Sequence, residues 1–140
     1  MYLGFDFGTR RIGVAVGGDR SGLAQPAATV RVCGGEPDWD AIARLVREWR
    51  PDAVVIGLPL NMDGTETQLA PAARGFGNRL GSRYNLPVHM VDERLSSRAA
   101  RELLAGFTRR RVRNEINAVA AQQILQTFLN EHAEDPRDTE

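Results

Sequence analysis

The sequence predicts one α/β domain in which an antiparallel meander of three strands leads into two βα units, giving five strands in a mixed sheet flanked by helices. Three observations carry this expectation. The first third holds strand-length apolar runs punctuated by glycine, at residues 2–7, 12–16 and 27–32. A continuous apolar run, Ala53-Val-Val-Ile-Gly57, has no polar alternation and suits a parallel strand covered on both faces. Stretches of helical period separate that run from its neighbours on both sides.

Taken in order, Gly8, Gly17, Gly18 and Gly22 separate the strands of the meander. Trp39, Ile42, Ala43, Val46 and Trp49 then recur at helical spacing, with Asp38 as the start signal and Pro51 as the stop. After the apolar strand and the loop Leu58 to Gly64, a second helix is expected over 66–84, with Leu69, Ala73, Phe76 and Leu80 on one face. Gly75, Gly77 and Gly81 each weaken it by about 1 kcal/mol against alanine. Residues 87–91 read as the fifth strand, and Ser96 or Ser97 opens a short helix through Leu104. The arginine-rich stretch 107–114 has no period and is expected as a basic loop. Asn114 opens a last helix whose inner face holds Asn117, Ala121, Ile124 and Phe128.

A chain of 140 residues buries roughly two thirds of its unfolded surface, enough for one core without staples. The single cysteine, Cys33, excludes an internal disulfide framework. No apolar run is long enough to span a bilayer and residues 1–6 do not resemble a secretory signal, so the expected location is cytoplasmic, with no membrane partner. Charge is balanced at 18 bases and 18 acids, but unevenly placed. Residues 131–140 hold five acids and one arginine, leaving 17 bases against 13 acids in residues 1–130. The expectation is a mildly basic domain over 1–130 and a disordered acidic tail over 131–140. All 18 bases are arginine, a side chain suited to bidentate phosphate contact, although a GC-rich genome gives the same bias.

Asp6 stands near the end of the first strand, opposite in phase to Phe5 and Phe7, with Gly8 directly after it. A carboxylate in such a strand is costly unless used; the plain alternative is an Asx turn. The segment also matches the Asp-x-Gly-Thr phosphate loop of the actin and sugar-kinase ATPases, but those close a second such domain over the nucleotide and the length argues against it. Asn61, Asp63 and Thr65 leave the carboxyl end of a parallel strand, where open α/β sheets bind ligands, although Asp63-Gly64 reads first as a turn. Asp92, Glu93 and Arg94 follow the fifth strand at the same end, so either acid is a candidate partner of Asp6 in holding a divalent ion. Hard cations such as Mg²⁺ or Mn²⁺ want several oxygen donors. In the last helix Asn117 offers a neutral carbonyl oxygen, and Glu115 is about 200° round the helix from it. Arg10 and Arg11 beside Asp6, with Arg109, Arg110, Arg111 and Arg113 before the last helix, are candidate phosphate contacts. His89 and His132 show no ligand spacing.

With these residues in view, Asp6-Phe-Gly-Thr-Arg-Arg-Ile-Gly-Val-Ala, Gly57-Leu-Pro-Leu-Asn-Met-Asp-Gly, Asp92-Glu-Arg-Leu-Ser and Ala120-Ala-Gln-Gln-Ile-Leu-Gln resemble the YqgF family, also called RuvX, of Holliday junction resolvases and pre-16S ribosomal RNA nucleases. The resemblance runs from about Leu3 to Leu129. It implies a ribonuclease-H-like fold related to the RuvC resolvases, Mg²⁺ or Mn²⁺ dependence, and a role in maturing the 5′ end of small-subunit ribosomal RNA. By position, the family's first-strand aspartate falls on Asp6 and its second acid on Asp92 or Glu93. The last family acid stands where this chain has Asn117. The resemblance thus points to a nuclease acting on pre-rRNA or branched DNA, as a monomer or weak homodimer. Asn117 motivates the alternative, a non-catalytic ribosome-assembly or transcription factor that uses the same scaffold as a nucleic-acid clamp.

Overall fold

A computed structural model describes residues 1–18, 22–61, 63–92 and 109–133, with the side chains of the last helix described from 117 to 131. Its sheet has six strands: β1 (Tyr2–Phe7), β2 (Arg11–Gly17), β3 (Ala24–Cys33), β4 (Glu36–Pro37), β5 (Ala53–Leu58) and β6 (Val88–Asp92), in the order β4-β3-β2-β1-β5-β6. β1, β2, β3 and β4 pair antiparallel in sequence, whereas β5 runs parallel to both β1 and β6. The expected meander and parallel pair are therefore present. The additional strand is the two-residue β4, joined to β3 through Gly34 and Gly35 at φ +58° and +78°. Two consecutive positive φ values make the tight hairpin turn that only glycine adopts without strain.

Helices cover both faces. α1 (Trp39–Trp49) and α2 (Ala70–Tyr84) lie on one, where Leu3, Phe5, Phe7, Ile12, Val14, Val30, Val54 and Ile56 meet Ile42, Leu45, Phe76 and Leu80. α3 (Arg109–Ala133) lies on the other, burying Ala121, Ile124, Leu125, Phe128 and Leu129 against Ala15, Ala24, Val55 and Val91. The alternation of β1 divides it between these cores: Leu3, Phe5 and Phe7 go one way, Tyr2 and Gly4 the other.

Asp38 caps α1 as expected, its carboxylate accepting from the Ala41 N–H at 3.2 Å. Arg50 ends the helix in the left-handed region at φ 45°, ahead of Pro51. α2 begins at Ala70 rather than at residue 66, because Pro71 belongs in a first turn and breaks a helix that has already started. Glu66 instead bridges back to Leu60, and Thr67 donates to the Pro59 carbonyl. Two of the three glycines of α2 lie against the sheet: a Cβ on Gly81 would stand 2.5 Å from Val88 Cγ2, and one on Gly77 3.0 Å from Met90 Cε. Close packing there accounts for residues that weaken the helix in isolation.

α3 begins at Arg109, so the arginine run expected as a loop is helical; arginine is a good helix former, and neither glycine nor proline interrupts 107–114. The helix runs through Ala133, three residues into the segment expected as a tail. The expected helix over 96–104 lies outside the described residues. One irregularity sits between β2 and β3, where the register passes from Val14↔Ala28 to Ala15↔Pro26 and leaves Ala27 unpaired as a bulge.

Candidate nuclease site

β1, β5 and β6 are parallel, so all three deliver their carboxyl ends to one edge of the sheet. Asp6 stands one residue before that edge, half-buried, and pairs with Gly13 across the β1–β2 ladder. Tyr2 and Gly4, in phase with Asp6, face α3: the Tyr2 ring lies 5.3 Å from Phe128, and a Cβ on Gly4 would meet Leu125 Cβ at 2.8 Å. Asp6 therefore points to the α3 face. Its partner Gly13 fixes what lies above. A Cβ there would fall 1.8 Å from the Asn117 carbonyl oxygen, so the helix backbone rests directly on the strand. Asn117, itself half-buried, is thus held over the neighbour of Asp6. The backbone of Asn117 thus crosses the strand beside Asp6, and the glycine that permits the crossing is invisible until the path of α3 over β2 is known.

The acids after β6 divide differently. Asp92 ends the strand, exposed and in register with Leu58. Val88 and Met90 contact the glycines of α2, while Val91 packs in the α3 core and His89 stacks on Phe128 at 4.9 Å. Alternation places Asp92 in phase with Val88 and Met90, on the face away from Asp6. The two aspartates leave the same edge on opposite sides. Glu93 and Arg94 lie outside the described residues. Between β1 and β6, the α3-face position on β5 is Gly57, which has no side chain to fill the gap.

The loop after β5 is closed by its own polar groups. Asp63 Oδ1 accepts from the Thr65 N–H at 3.0 Å and from its hydroxyl at 2.6 Å, while Gly64 takes φ +91°. Asp63 is thus the turn residue expected. Asn61 Nδ2 donates to Thr65 Oγ1 at 3.1 Å and to the Glu66 carbonyl at 3.4 Å, leaving an exposed residue at the same sheet edge. Arg10 and Arg11 are exposed beside the β1–β2 turn. Arg109, Arg110, Arg111 and Arg113 precede Asn117 on α3, their side chains outside the described residues.

Among the described residues no three His, Cys, Asp or Glu side chains gather as a metal cluster. Near the carboxyl end of β1 the α3 side carries the Asp6 carboxylate and the amide residue Asn117. Both offer oxygen, the donor type Mg²⁺ and Mn²⁺ take, and a further carboxylate completes a usual set. A family model, RuvX: Holliday junction resolvase, matches residues 1–131. The chain belongs to the RuvX family. It is 52% identical over 132 residues to a pre-16S rRNA nuclease, so named, of Nitrosococcus oceani, covering 94% of this chain and 87% of that one. It is 49% identical over 131 residues to the protein of the same name from Chromohalobacter salexigens, covering 92% and 88%. Among solved structures, it is similar to Thermus thermophilus RuvC in complex with a Holliday junction substrate, with a TM-score of 0.58 at 15% identity, covering 95% and 96%. It is also similar to the fowlpox virus resolvase with Holliday junction DNA, at a TM-score of 0.51 and 10% identity, covering 93% and 97%. These likenesses establish the ribonuclease-H-like resolvase fold for this RuvX chain.

Proposed function

We propose that this RuvX chain is a divalent-metal-dependent nuclease that hydrolyses phosphodiester bonds in structured nucleic acid in the cytoplasm, maturing the 5′ end of pre-16S rRNA. The observation that carries the reading is the half-buried Asp6 carboxylate at the edge where three parallel strands end, beside Gly13, over which Asn117 crosses. The names of the relatives support the substrate. Mg²⁺ or Mn²⁺ would be held by Asp6, by an acid of the 92–93 pair and by the Asn117 side-chain oxygen. Strand phase sets Asp92 in step with Val88 and Met90 on the α2 side, which leaves Glu93 as the favoured acid. When bound, the ion supplies charge to stabilise the phosphoryl oxygens and lowers the pKa of water. The chain's own part is to orient the acid and exclude solvent with α3. Arg10, Arg11, Arg94, Arg109, Arg110, Arg111 and Arg113, with Asn61, hold flanking phosphates and sugars.

Purified protein with Mn²⁺ is expected to nick a pre-16S RNA fragment, and Asp6→Asn and Glu93→Gln to abolish nicking while Asp92→Asn retains it. Full activity in Asp6→Asn refutes the assignment. A four-way DNA junction in parallel reactions separates rRNA maturation from junction resolution, and symmetric junction cutting requires a dimer, visible by sedimentation. The second reading, a non-catalytic binding factor, rests on Asn117, which contributes no charge where an acid would strengthen metal binding. It predicts no turnover in the wild type and gain of cleavage in Asn117→Asp.

A further inference from the structure

We propose that Arg11 and Arg31 form a clamp for a backbone phosphate beside the Asp6 site. The two residues are direct partners across the β2–β3 ladder. The Val32 N–H donates to the Arg10 carbonyl at 2.9 Å, a bond that brackets Arg11 and Arg31 as a non-hydrogen-bonded pair. Such pairs bring Cα atoms to about 4.5 Å and the side chains closest together. Both point to the α3 face, because Arg11 is in phase with Gly13, whose Cβ direction meets Asn117. Both are exposed.

Two like charges directly opposite destabilise a sheet unless an anion lies between them. Among the described residues the ion pairs are Met1–Asp52, Arg74–Glu66 and Arg79–Glu36, none of which involves either guanidinium. The acids that follow Arg31 are committed elsewhere: Glu36 holds Arg79 and the Trp39 indole, and Asp38 caps α1. An anion between the two forks relieves the repulsion and accepts from both. Asp6 lies one strand over and two residues along from Arg11, roughly 8 Å at Cα from the strand spacings. An anion bridging the arginines is therefore placed as the next phosphate along a strand whose scissile bond is at Asp6. Period-two counting on β3 sets Arg31 on the opposite face from Val30 and Val32, a signal present in the sequence once the register is known.

The proposal rests on the nucleic-acid reading of the site but not on cleavage, so its test is made without metal. Binding of a fluorescein-labelled RNA hairpin to full-length protein in EDTA is followed by polarisation across a salt series. Arg11→Ala and Arg31→Ala are each expected to reduce the slope of log K against log salt by about 1. Arg31→Lys keeps the slope, and Arg44→Ala on α1, on the far face, leaves it unchanged. Without nucleic acid, inorganic phosphate is expected to raise the melting temperature of the wild type more than that of Arg31→Ala, which itself melts no lower than wild type. Wild-type slopes in both alanine variants overturn the clamp. Altered slopes in a protein that never nicks RNA sustain the clamp and remove the nuclease reading instead.

Discussion

Replacing Gly13 by alanine tests the most specific contact in the molecule. The new Cβ would stand 1.8 Å from the Asn117 carbonyl oxygen and 2.9 Å from the Ala118 nitrogen, where ordinary contact begins at 3.4 Å. The shortfall is about 1.6 Å against helix backbone, which has no rotamer to give way. α3 must lift by a comparable amount from the core that holds Ile124, Leu125 and Leu129. Overpacking costs typically 1–3 kcal/mol, and a backbone clash belongs at the top of that range. At about 3 kcal/mol and a urea slope of about 2 kcal/mol/M, the denaturation midpoint falls by roughly 1.5 M with the slope unchanged. Gly75 of α2 is the control, since a Cβ there meets nothing within 4 Å. Gly75→Ala is expected to stabilise by about 0.5–1 kcal/mol. Urea unfolding of both variants by fluorescence decides the matter. A Gly13→Ala protein within about 0.5 kcal/mol of wild type refutes the placement of α3 on β2.

Phe76→Ala removes the ring that meets Phe5, Phe7 and Trp39 at 5.6, 5.2 and 5.8 Å, with an expected loss of about 3–5 kcal/mol in calorimetry. Gln126→Ala leaves the Ala24 N–H and the Gly22 carbonyl, bonded at 2.9 and 2.7 Å, without their partner. It should cost about 1–3 kcal/mol and lower hydrogen-exchange protection at Ala24. Hydrogen bonding from Arg79, then from Trp39, holds the Glu36 carboxyl below its ordinary value of 4.5, so the stabilisation is present above that value and lost as pH falls through the lowered one. An NMR titration should place Glu36 below 4.5 in the wild type and move it back up in Arg79→Ala.

How much of this was legible in the sequence depends on whether the determinant is local. Asp38 and Pro51 bound α1 correctly, because caps and stops act within a turn. The β3–β4 hairpin announces itself through Gly34-Gly35 but is too short to show a period. Pro71 marks a later start for α2 than the apolar spacing through Leu69 suggests. Asp6 could be recognised as a charge in an apolar strand, and Asn117 as a polar residue on the inner face of the last helix. The side of the sheet that Asp92 takes could not be read from the sequence, since it depends on the phase of β6, which is set by Val88 and Met90 packing on α2. Gly13 and Arg31 matter only through partners a hundred or twenty residues away.

The unpaired Ala27 has an unusual duty in this light. Counting by twos, Ala28, Val30 and Val32 belong to the α1–α2 core, and Ala24 and Pro26 would follow them there on an unbroken strand. The extra residue turns the strand over, so Ala24 packs instead beneath α3, its N–H donating to the Gln126 side-chain oxygen and its carbonyl accepting from the Gln122 amide. Ala27 acts as a spacer whose length, not its side chain, matters. Deleting this exposed alanine is therefore a harsher change than substituting it, because one missing residue forces half the hairpin to present its inside as its outside.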